Sequence, residues 1–385
     1  MAVRRRIALI YTYNESWIGG TYYIENLVAA LAQLPDAQQP ELLIFSWDEA
    51  DEVRLKKAVQ YPYWSFRRFE RTLSLPERIL NKITAIVLRK RFISLLYSDA
   101  DIVFPLPTGS RQYFSRIPYH LYWIPDFQEH YLPAFFSSEE IAVRKVDQQL
   151  ILKLAQNIVF SSHAAQNDFN AIYPNSGLAQ HILQFAVTSK PVSTKENDCL
   201  SRYGIAQPYF ICSNQFWKHK NHPTVLRALA NLKQTHPDAL IVFTGKEQDY
   251  RNPAYFEELM NLREELTLHN EVKFLGFIPR EDQLALMQQA VAVIQPSLFE
   301  GWSTVVEDAK SLNAPLIASN IAVHQEQLAE YKQKLFFEPK DAEDLTRCLE
   351  EVLQNGLHRE TYNYNRDVKR FAHEFVQIVD SIVGV

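Results

Sequence analysis

The sequence has few cysteines and no apolar run long enough to cross a membrane. Its three cysteines, Cys199, Cys212 and Cys348, lie far apart among 385 residues and show no CxxC spacing. We therefore expect reduced thiols, and neither a disulfide framework nor a zinc site. No segment reaches the roughly 20 apolar residues that span a bilayer. The basic N-terminus runs directly into the strand-like segment 7–11 without the apolar stretch of a signal peptide, which predicts a cytoplasmic protein.

The chain also lacks an excess of positive charge. Its formal net charge is −5 at pH 7, which argues against a general nucleic-acid binder, because such proteins are basic. Hydrophobic residues make up 47% and charged residues 22%, the proportions of an ordinary globular protein. At 385 residues the chain is too long for one ordinary core, so two domains of similar size are expected.

Short apolar runs that alternate with helically spaced segments predict an α/β fold built on doubly wound parallel sheets. Twelve strands are predicted, at 7–11, 42–47, 101–104, 119–124, 157–161 and 181–187 in the first half and at 209–213, 240–244, 272–275, 291–295, 315–319 and 335–337 in the second. The two sets predict two Rossmann-like domains, residues 1–187 and 209–361, joined by the polar linker 188–208. A ligand cleft is expected where the carboxyl ends of the two sheets face each other.

The most informative stretch runs from residue 295 to residue 319. A predicted strand ends at Gln295, the following loop carries Glu300, and a helix begins near Ser303 or Thr304. Free N–H groups at a helix start, with the helix dipole behind them, form an anion site suited to a diphosphate. A carboxylate before this site can accept hydrogen bonds from sugar hydroxyls, and one a turn into the helix can accept them from a ribose. The spacing therefore predicts a site for a nucleotide-sugar.

This stretch resembles the donor-binding signature of glycosyltransferase family 4, in which two acids are separated by seven residues around a glycine–aromatic pair, here Gly301 and Trp302. The resemblance implies that Glu300 contacts the donor hexose. It also implies that Asp308, where the family usually has glutamate, binds the ribose. The adjacent Glu307 is the alternative for the ribose, because both positions lie near the same helix face.

The resemblance covers nearly the whole chain and is strongest over residues 209–327. It implies the GT-B fold, in which two Rossmann-like domains face each other across a cleft. The first domain then binds the acceptor and the second binds the nucleotide-sugar donor. In this architecture the last helix, here expected within residues 362–385, crosses back onto the first domain.

A basic cluster follows the first strand of the second domain. The family places an arginine here and a lysine five residues later, and both bind the donor diphosphate. This chain keeps the lysine as Lys220, whereas Gln215 stands at the arginine position. We expect Lys218 to supply the missing charge, with a solvated basic loop as the alternative.

Residues of the first domain are also expected at the cleft. Gly19 and Gly20 lie at a strand-to-helix turn, where the family places a loop near the phosphates or the acceptor, although a tight turn explains them equally well. Asp126 follows the predicted strand 119–124, and either Asp126 or His130 is expected to orient an acceptor hydroxyl or to contact the hexose. Surface acids that are simply solvated are the alternative.

The second domain is expected to complete the donor site. The segment 276–280 resembles the family segment whose backbone meets the base, and Arg280 either packs on that base or begins a helix. The remaining donor contacts are assigned to Gly301, Trp302, Ser303, Thr304 and Phe277.

By resemblance, the reaction is a retaining hexosyl transfer with attack on the face that the leaving group vacates. Lys220, Lys218 and the helix N-terminus would stabilise the departing nucleoside diphosphate, so no metal or other cofactor is expected. Glu300, Lys220 and Asp126 are the residues expected to carry the chemistry. Asp99 and Asp101 match the DxD pattern of a metal site, but they lie between a helix and a strand and are interpreted as a connector.

Two other functions fit part of this pattern. A nucleotide-sugar 2-epimerase on the same fold would bind the same donor, although it needs further acid–base residues around the sugar. A non-catalytic donor-binding subunit of an active transferase is favoured only by Gln215.

The segment 67–91 carries eight basic residues and two acidic ones, and its apolar residues recur at helical spacing from Ile79 to Val87. A basic amphipathic helix in an acidic protein indicates docking on anionic lipid headgroups. A helix that faces the core and solvates its basic side is the equal alternative. If docking holds, a lipid-linked or growing cell-envelope glycan is the expected acceptor, at the inner face of the plasma membrane.

Overall fold

A computed structural model describes residues 4–15, 18–69, 75–87, 97, 99–188, 198–205, 208–357 and 360–384. Within these ranges the chain forms two parallel sheets with helices packed on them. We call the first sheet and its helices the first domain, and the second sheet and its helices the second domain. The residue boundaries given above stay a prediction.

The first sheet consists of β1 (Arg6–Ile10), β2 (Glu41–Ser46), β3 (Trp64–Arg68), β4 (Ile102–Phe104), β5 (Tyr119–Ile124), β6 (Asn157–Phe160) and β7 (Ala179–Ile182). Its strand order is β3-β2-β1-β4-β5-β6-β7. The second sheet consists of β8 (Tyr209–Ser213), β9 (Leu240–Thr244), β10 (Val272–Phe274), β11 (Val293–Gln295), β12 (Leu316–Ser319) and β13 (Lys334–Phe337), in the order β10-β9-β8-β11-β12-β13. All neighbouring strands are parallel, which confirms the predicted fold class.

Helices follow most strands. In the first domain they are α1 (Ile18–Leu31), α2 (Ala50–Ala58), α3 (Leu75–Val87), α4 (Gln128–Tyr131), α5 (Ser138–Leu154) and α6 (His163–Ile172). The second half has α7 (Cys199–Arg202), α8 (His222–Leu232), α9 (Tyr255–Glu265), α10 (Arg280–Gln289), α11 (Thr304–Ser311), α12 (Ala322–Gln327), α13 (Ala342–Asn355) and α14 (Asn365–Val383). The helix α7 falls inside the predicted linker, and its Arg202 binds Asp282 of α10 at 2.7 Å. This part of the linker therefore packs on the second domain.

The strand β3 is absent from the strands that the sequence predicts. It lies at the edge of the first sheet and its side chains are exposed or only partly buried, so it has no continuous apolar run. Its last two residues, Arg67 and Arg68, pair with Asp99 at 3.4 Å and Glu49 at 2.8 Å. The basic segment 67–91 is therefore not one helix, because it begins in a strand.

The helix α3 exposes the apolar residues that a core-facing helix would bury. Ile79, Ile83 and Ile86 are 53%, 53% and 74% exposed. The structure therefore contradicts the core-facing alternative for these side chains. Within the part of the chain that the structure describes, no helix has both the length and the hydropathy that crossing a membrane requires.

The last helix, α14, packs on the first domain. Phe371 and Phe375 are fully buried in the same apolar cluster as Leu27 and Val28 of α1. Burial of these side chains removes apolar surface from water and ties the chain end to the domain in which it began.

Burial of His324 makes the fold sensitive to acid. Its side chain is fully buried, Nδ1 lies 2.9 Å from the Ser319 carbonyl, and burial lowers its pKa from 6.5 to about 4. Since the unfolded chain binds this proton first, the stability contribution is present above pH 6.5 and is lost as the pH falls toward 4. At pH 5 we expect a loss of about 2 kcal/mol from this group.

Urea unfolding at neutral pH and at pH 5 measures this effect. His324→Gln should reduce the pH dependence of the free energy of unfolding, whereas His269→Gln, at an exposed position, should leave it as in the wild type. An unchanged pH dependence in His324→Gln would contradict the assignment.

Candidate functional site

A cavity of about 860 Å³ lies between the carboxyl ends of the two sheets. The loops after β1 and β5 line it from the first domain, and the loops after β8, β9 and β11 line it from the second. The predicted site residues that line it are Gly19, Asp126, Gln215, Lys220, Phe277, Arg280, Glu300, Gly301, Trp302, Ser303, Thr304 and Asp308. Among the described residues, Gly20, Lys218 and His130 lie outside this lining. Most of the site residues predicted from the sequence therefore lie in the wall of one cleft.

Glu300 and Lys220 form an ion pair in the wall of the cleft. Lys220 Nζ lies 2.5 Å from Glu300 Oε1, and the two side chains are only 17% and 10% exposed. The same oxygen accepts hydrogen bonds from Ser297 Oγ at 2.6 Å and from Gln295 Nε2 at 2.9 Å. Three donors on one oxygen fix the carboxylate, and low exposure strengthens each charge-assisted contact.

The start of α11 is held rigidly beside this pair. Ser303 is the N-cap, and its hydroxyl accepts from the N–H of Val306 at 3.4 Å and from Gln295 Nε2 at 3.0 Å. Its own N–H donates to Gln327 Oε1 at 3.0 Å. The helix N-terminus thereby presents its dipole to the cleft from a fixed position.

The two candidate acids of α11 have different surroundings. Asp308 lines the cavity and binds the Arg280 guanidinium with both oxygens, one of them at 2.7 Å. Glu307 is 1% exposed and binds Lys310 Nζ at 3.0 Å and the Tyr364 hydroxyl at 2.7 Å. Glu307 is therefore committed to the buried contact with α14, and Asp308 is the acid that reaches the cavity.

Burial raises the pKa of Asp308, and the Arg280 guanidinium opposes this rise. Arg280 lies with its guanidinium carbon 5.3 Å from the centre of the Tyr22 ring of the first domain. The predicted helix-start role of Arg280 also holds, because it is the first residue of α10. Arg280 therefore connects α11 to both α10 and the facing domain.

The structure places the basic residues differently from the prediction. Lys218 is 40% exposed, and its Nζ lies 4.0 Å from Glu258 on the surface. Gln215 lines the cavity, and its Nε2 donates to the Glu15 carbonyl of the first domain at 3.1 Å. Gln215 therefore makes a contact between the domains from the position where the family has arginine.

Two arginines that the sequence analysis missed also line the cavity. Arg251 is 6% exposed, lies 4.1 Å above the Phe136 ring and pairs with Glu140 at 3.4 Å, so it reaches from the second domain to the first. Arg144 of α5 pairs with Glu129 at 3.2 Å. Arg251 follows β9 at the carboxyl edge, a position that indicates the cleft, whereas no local pattern marks Arg144.

Gly301 lies at a close approach between the two domains. A Cβ on this residue would lie 2.9 Å from the carbonyl carbon of Pro125 and closer still to its oxygen. The next residue, Trp302, donates its indole N–H to the Phe185 carbonyl at 3.0 Å. Both contacts cross from the second domain to the first, so the glycine–aromatic pair shapes the cleft.

Of the site residues predicted in the first domain, Asp126 and Gly19 line the cavity, whereas His130 does not. Asp126 lines the cavity and accepts the Gln128 N–H at 3.1 Å, and burial raises its pKa. Gly19 faces the start of α11, because a Cβ on it would lie 4.0 Å from Thr304 Oγ1. His130 is exposed and its ring lies against Tyr131.

The DxD pattern lies away from the cleft. Its Asp101 precedes β4, at the amino end of the sheet, and accepts the Arg6 N–H at 2.8 Å.

Glu326 of α12 joins the domains behind the cleft. Its carboxylate accepts the N–H groups of His163 at 2.8 Å and Ala164 at 3.0 Å, at the N-terminus of α6, and an amide proton of Gln184 at 2.6 Å. Its neighbour Gln327 holds the N-cap of α11. The helix α12 therefore links closure of the domains to the position of the α11 N-terminus.

For the nucleotide that the sequence predicts at this cleft, Glu326→Ala should weaken binding about 2- to 30-fold, because losing such a cap costs roughly 0.5–2 kcal/mol of the observed arrangement of the domains. Titration calorimetry measures the dissociation constant. Gln325→Ala is the matched control, since Gln325 binds Asn320 within the second domain. Equal affinities in the two variants would contradict the link.

Comparison with known sequences shows a family to which the second domain is similar. Residues 204–368 match the model of the family described as "Glycosyl transferases group 1", which is less than half of the chain. A D-inositol 3-phosphate glycosyltransferase of Corynebacterium urealyticum is 29% identical over 36% of this chain and 33% of its own length. An O-antigen chain mannosyltransferase B of Escherichia coli is 25% identical over 46% of each chain. The matches thus span a third to a half of these relatives.

Solved structures are similar over the whole chain. The Anabaena protein Alr3699/HepE in complex with UDP and glucose has a TM-score of 0.71 at 17% identity and covers 98% of this chain and 100% of its own. A glycosyltransferase from Rickettsia africae ESF-5 has a TM-score of 0.67 at 16% identity and covers 99% of each chain. At these identities the likeness concerns the fold, and it confirms the GT-B architecture. Residues 204–368 are therefore similar to the family described as "Glycosyl transferases group 1", within a chain that has the GT-B fold.

Proposed function

We propose that this protein is a retaining glycosyltransferase that moves a hexose from a nucleoside-diphosphate sugar to a glycan or lipid-linked acceptor. The observation that carries this proposal is the arrangement around the start of α11. The Lys220–Glu300 pair lies before the helix, the capped N-terminus opens on the cavity, and Asp308 lies one turn further along. These groups match, in order, a sugar, a diphosphate and a ribose.

In the proposed complex the diphosphate lies against the α11 N-terminus. Lys220 Nζ then contacts both Glu300 and a phosphate oxygen, and each charge-assisted contact contributes roughly 1.5–3 kcal/mol. Glu300 accepts hydrogen bonds from hexose hydroxyls, and Asp308, held by Arg280, accepts them from the ribose. The exposed Phe277 borders the cavity where the base would lie.

In the proposed reaction, the bond between the anomeric carbon and the phosphate oxygen breaks while the acceptor oxygen bonds to the same face of that carbon. The acceptor proton passes to a β-phosphate oxygen of the leaving group, and Asp126 orients the acceptor hydroxyl. Lys220 and the α11 dipole stabilise the charge that develops on the departing diphosphate. Arg144 and Arg251 add positive charge to the same cavity, so the proposal includes no metal or other cofactor.

The proposed donor and acceptor classes are supported by what similar proteins are named for. The Anabaena protein Alr3699/HepE has been crystallised with UDP-glucose, at 16% identity to this chain. An O-antigen chain mannosyltransferase RfbU of Salmonella typhimurium is 26% identical over 38% of each chain. We propose by analogy a nucleotide-sugar donor and a role in cell-envelope polysaccharide synthesis, at the inner face of the plasma membrane. The first domain, residues 1–187 with the crossover helix, would bind the acceptor.

A transfer assay tests the proposal. The purified protein is incubated in EDTA with UDP-, GDP- and ADP-sugars and a lipid-linked or oligosaccharide acceptor, and the product is examined by proton NMR. The proposal predicts release of one nucleoside diphosphate and a product with the anomeric configuration of the donor. An inverted product would contradict the retaining mechanism. A sugar epimerised at C2 without transfer would instead identify an epimerase.

A further inference from the structure

The helix α3 has an exposed apolar stripe. Leu75, Ile79, Ile83 and Ile86 recur at intervals of four, four and three residues, so they lie along one helix face, and Leu80 flanks them. These five side chains are between 45% and 74% exposed. Single exposed apolar residues are common on protein surfaces, but a contiguous stripe marks an interaction site.

The stretch of sequence that contains this stripe is strongly basic. The segment 67–91 has a formal charge of +6, whereas the whole chain has −5, so the rest of the protein is acidic. Within α3, Lys82 is exposed and precedes Ile83 of the stripe. An apolar stripe beside basic side chains is complementary to a layer that is apolar inside and negatively charged at its surface.

We propose that the surface formed by Leu75, Ile79, Leu80, Ile83, Ile86 and Lys82, called the α3 surface, docks on an anionic lipid bilayer. The helix lies in the plane of the interface, with its apolar stripe among the upper acyl chains and its basic residues at the headgroups. This proposal names the surface by which the protein would bind the plasma membrane, and it rests on the location proposed above. It is tested without the transfer reaction, so its failure and that of the proposed function can be told apart.

Sedimentation of the full-length protein with vesicles tests this proposal. We expect binding to vesicles of phosphatidylcholine and phosphatidylglycerol, weak binding to phosphatidylcholine alone, and loss of binding at high salt. The variant Ile79→Asp/Ile83→Asp should reduce the partition coefficient by about tenfold or more, because it places charge where apolar side chains insert. The variant Lys82→Gln should reduce it by about fivefold, because it removes one positive charge from the surface.

The matched control is Val143→Asp/Val146→Asp, which changes two exposed apolar residues on α5. It should leave vesicle binding unchanged. Every variant should keep the thermal unfolding midpoint of the wild type, which shows that the fold is intact.

Three results would overturn the proposal. They are a wild-type protein that does not bind anionic vesicles, equal binding to neutral and anionic vesicles, and equal losses in the α3 and α5 variants. If light scattering instead shows a dimer that Ile79→Asp/Ile83→Asp converts to a monomer, the α3 surface is a contact between copies of this chain.

Discussion

Lys220→Met is expected to lower kcat about 10²–10³-fold, the range found when one preorganised electrostatic group is removed from an active site. Lys220 is the lysine whose Nζ meets Glu300 at 2.5 Å in a nearly closed environment. In the proposed reaction, the charge that develops on the leaving diphosphate would then be stabilised by the α11 dipole, Arg144 and Arg251 without Lys220. The rate of nucleoside diphosphate release at saturating donor measures the loss.

Lys218→Met is the matched control for this prediction. Lys218 lies two residues earlier in the same loop, but its side chain points toward Glu258 on the surface. Its substitution should change kcat by less than about threefold, as expected for an exposed ion pair. If the two variants lose equal activity, the assignment of the phosphate contact to Lys220 is wrong. Thermal unfolding of both variants separates a catalytic loss from a folding defect.

Gly301→Ala is expected to lower kcat/KM by about 100-fold or more. The added Cβ would lie 2.9 Å from the carbonyl carbon of Pro125, which is backbone and cannot rotate away. The domains must then separate or the loop must shift, and a displacement of about 1 Å in reacting groups can cost 10²-fold in rate. Steady-state kinetics measures the loss, and small-angle scattering measures whether the domains move apart.

Gly109→Ala provides the control for Gly301→Ala. A Cβ at Gly109 would meet no atom within 4 Å, so this variant should keep wild-type activity and domain separation. Full activity in Gly301→Ala would contradict the claim that the close approach of the two domains assembles the site.

Much of the architecture could be predicted because buried parallel strands carry their signal locally. The strands β5, β8 and β9 have the predicted bounds, since each is a mostly apolar run between turns. The edge strand β3 could not be found in this way, because an edge strand is only partly buried. Its pairing with β2 is a tertiary contact that the local sequence does not predict.

The same distinction between local sequence signals and tertiary contacts applies to the candidate site. Glu300 and Lys220 could be placed because each follows a predicted strand at the carboxyl edge of the second sheet. The choice between Glu307 and Asp308 could not be made, because it depends on Tyr364, more than fifty residues further along the chain. The position of Arg144 in the cleft could not be predicted, because this residue lies on a helix and only the packing of the two domains brings it to the cleft.

Titration calorimetry with UDP, GDP and ADP in the presence of EDTA tests the central claim most directly, namely that this cleft binds a nucleoside diphosphate without metal. The account predicts binding of one of the three to the wild type and to Lys218→Met. Affinity should fall about 10- to 150-fold in Lys220→Met, the value of one lost charge-assisted contact. Absence of binding by all three nucleotides, or binding only with a divalent cation, would contradict it.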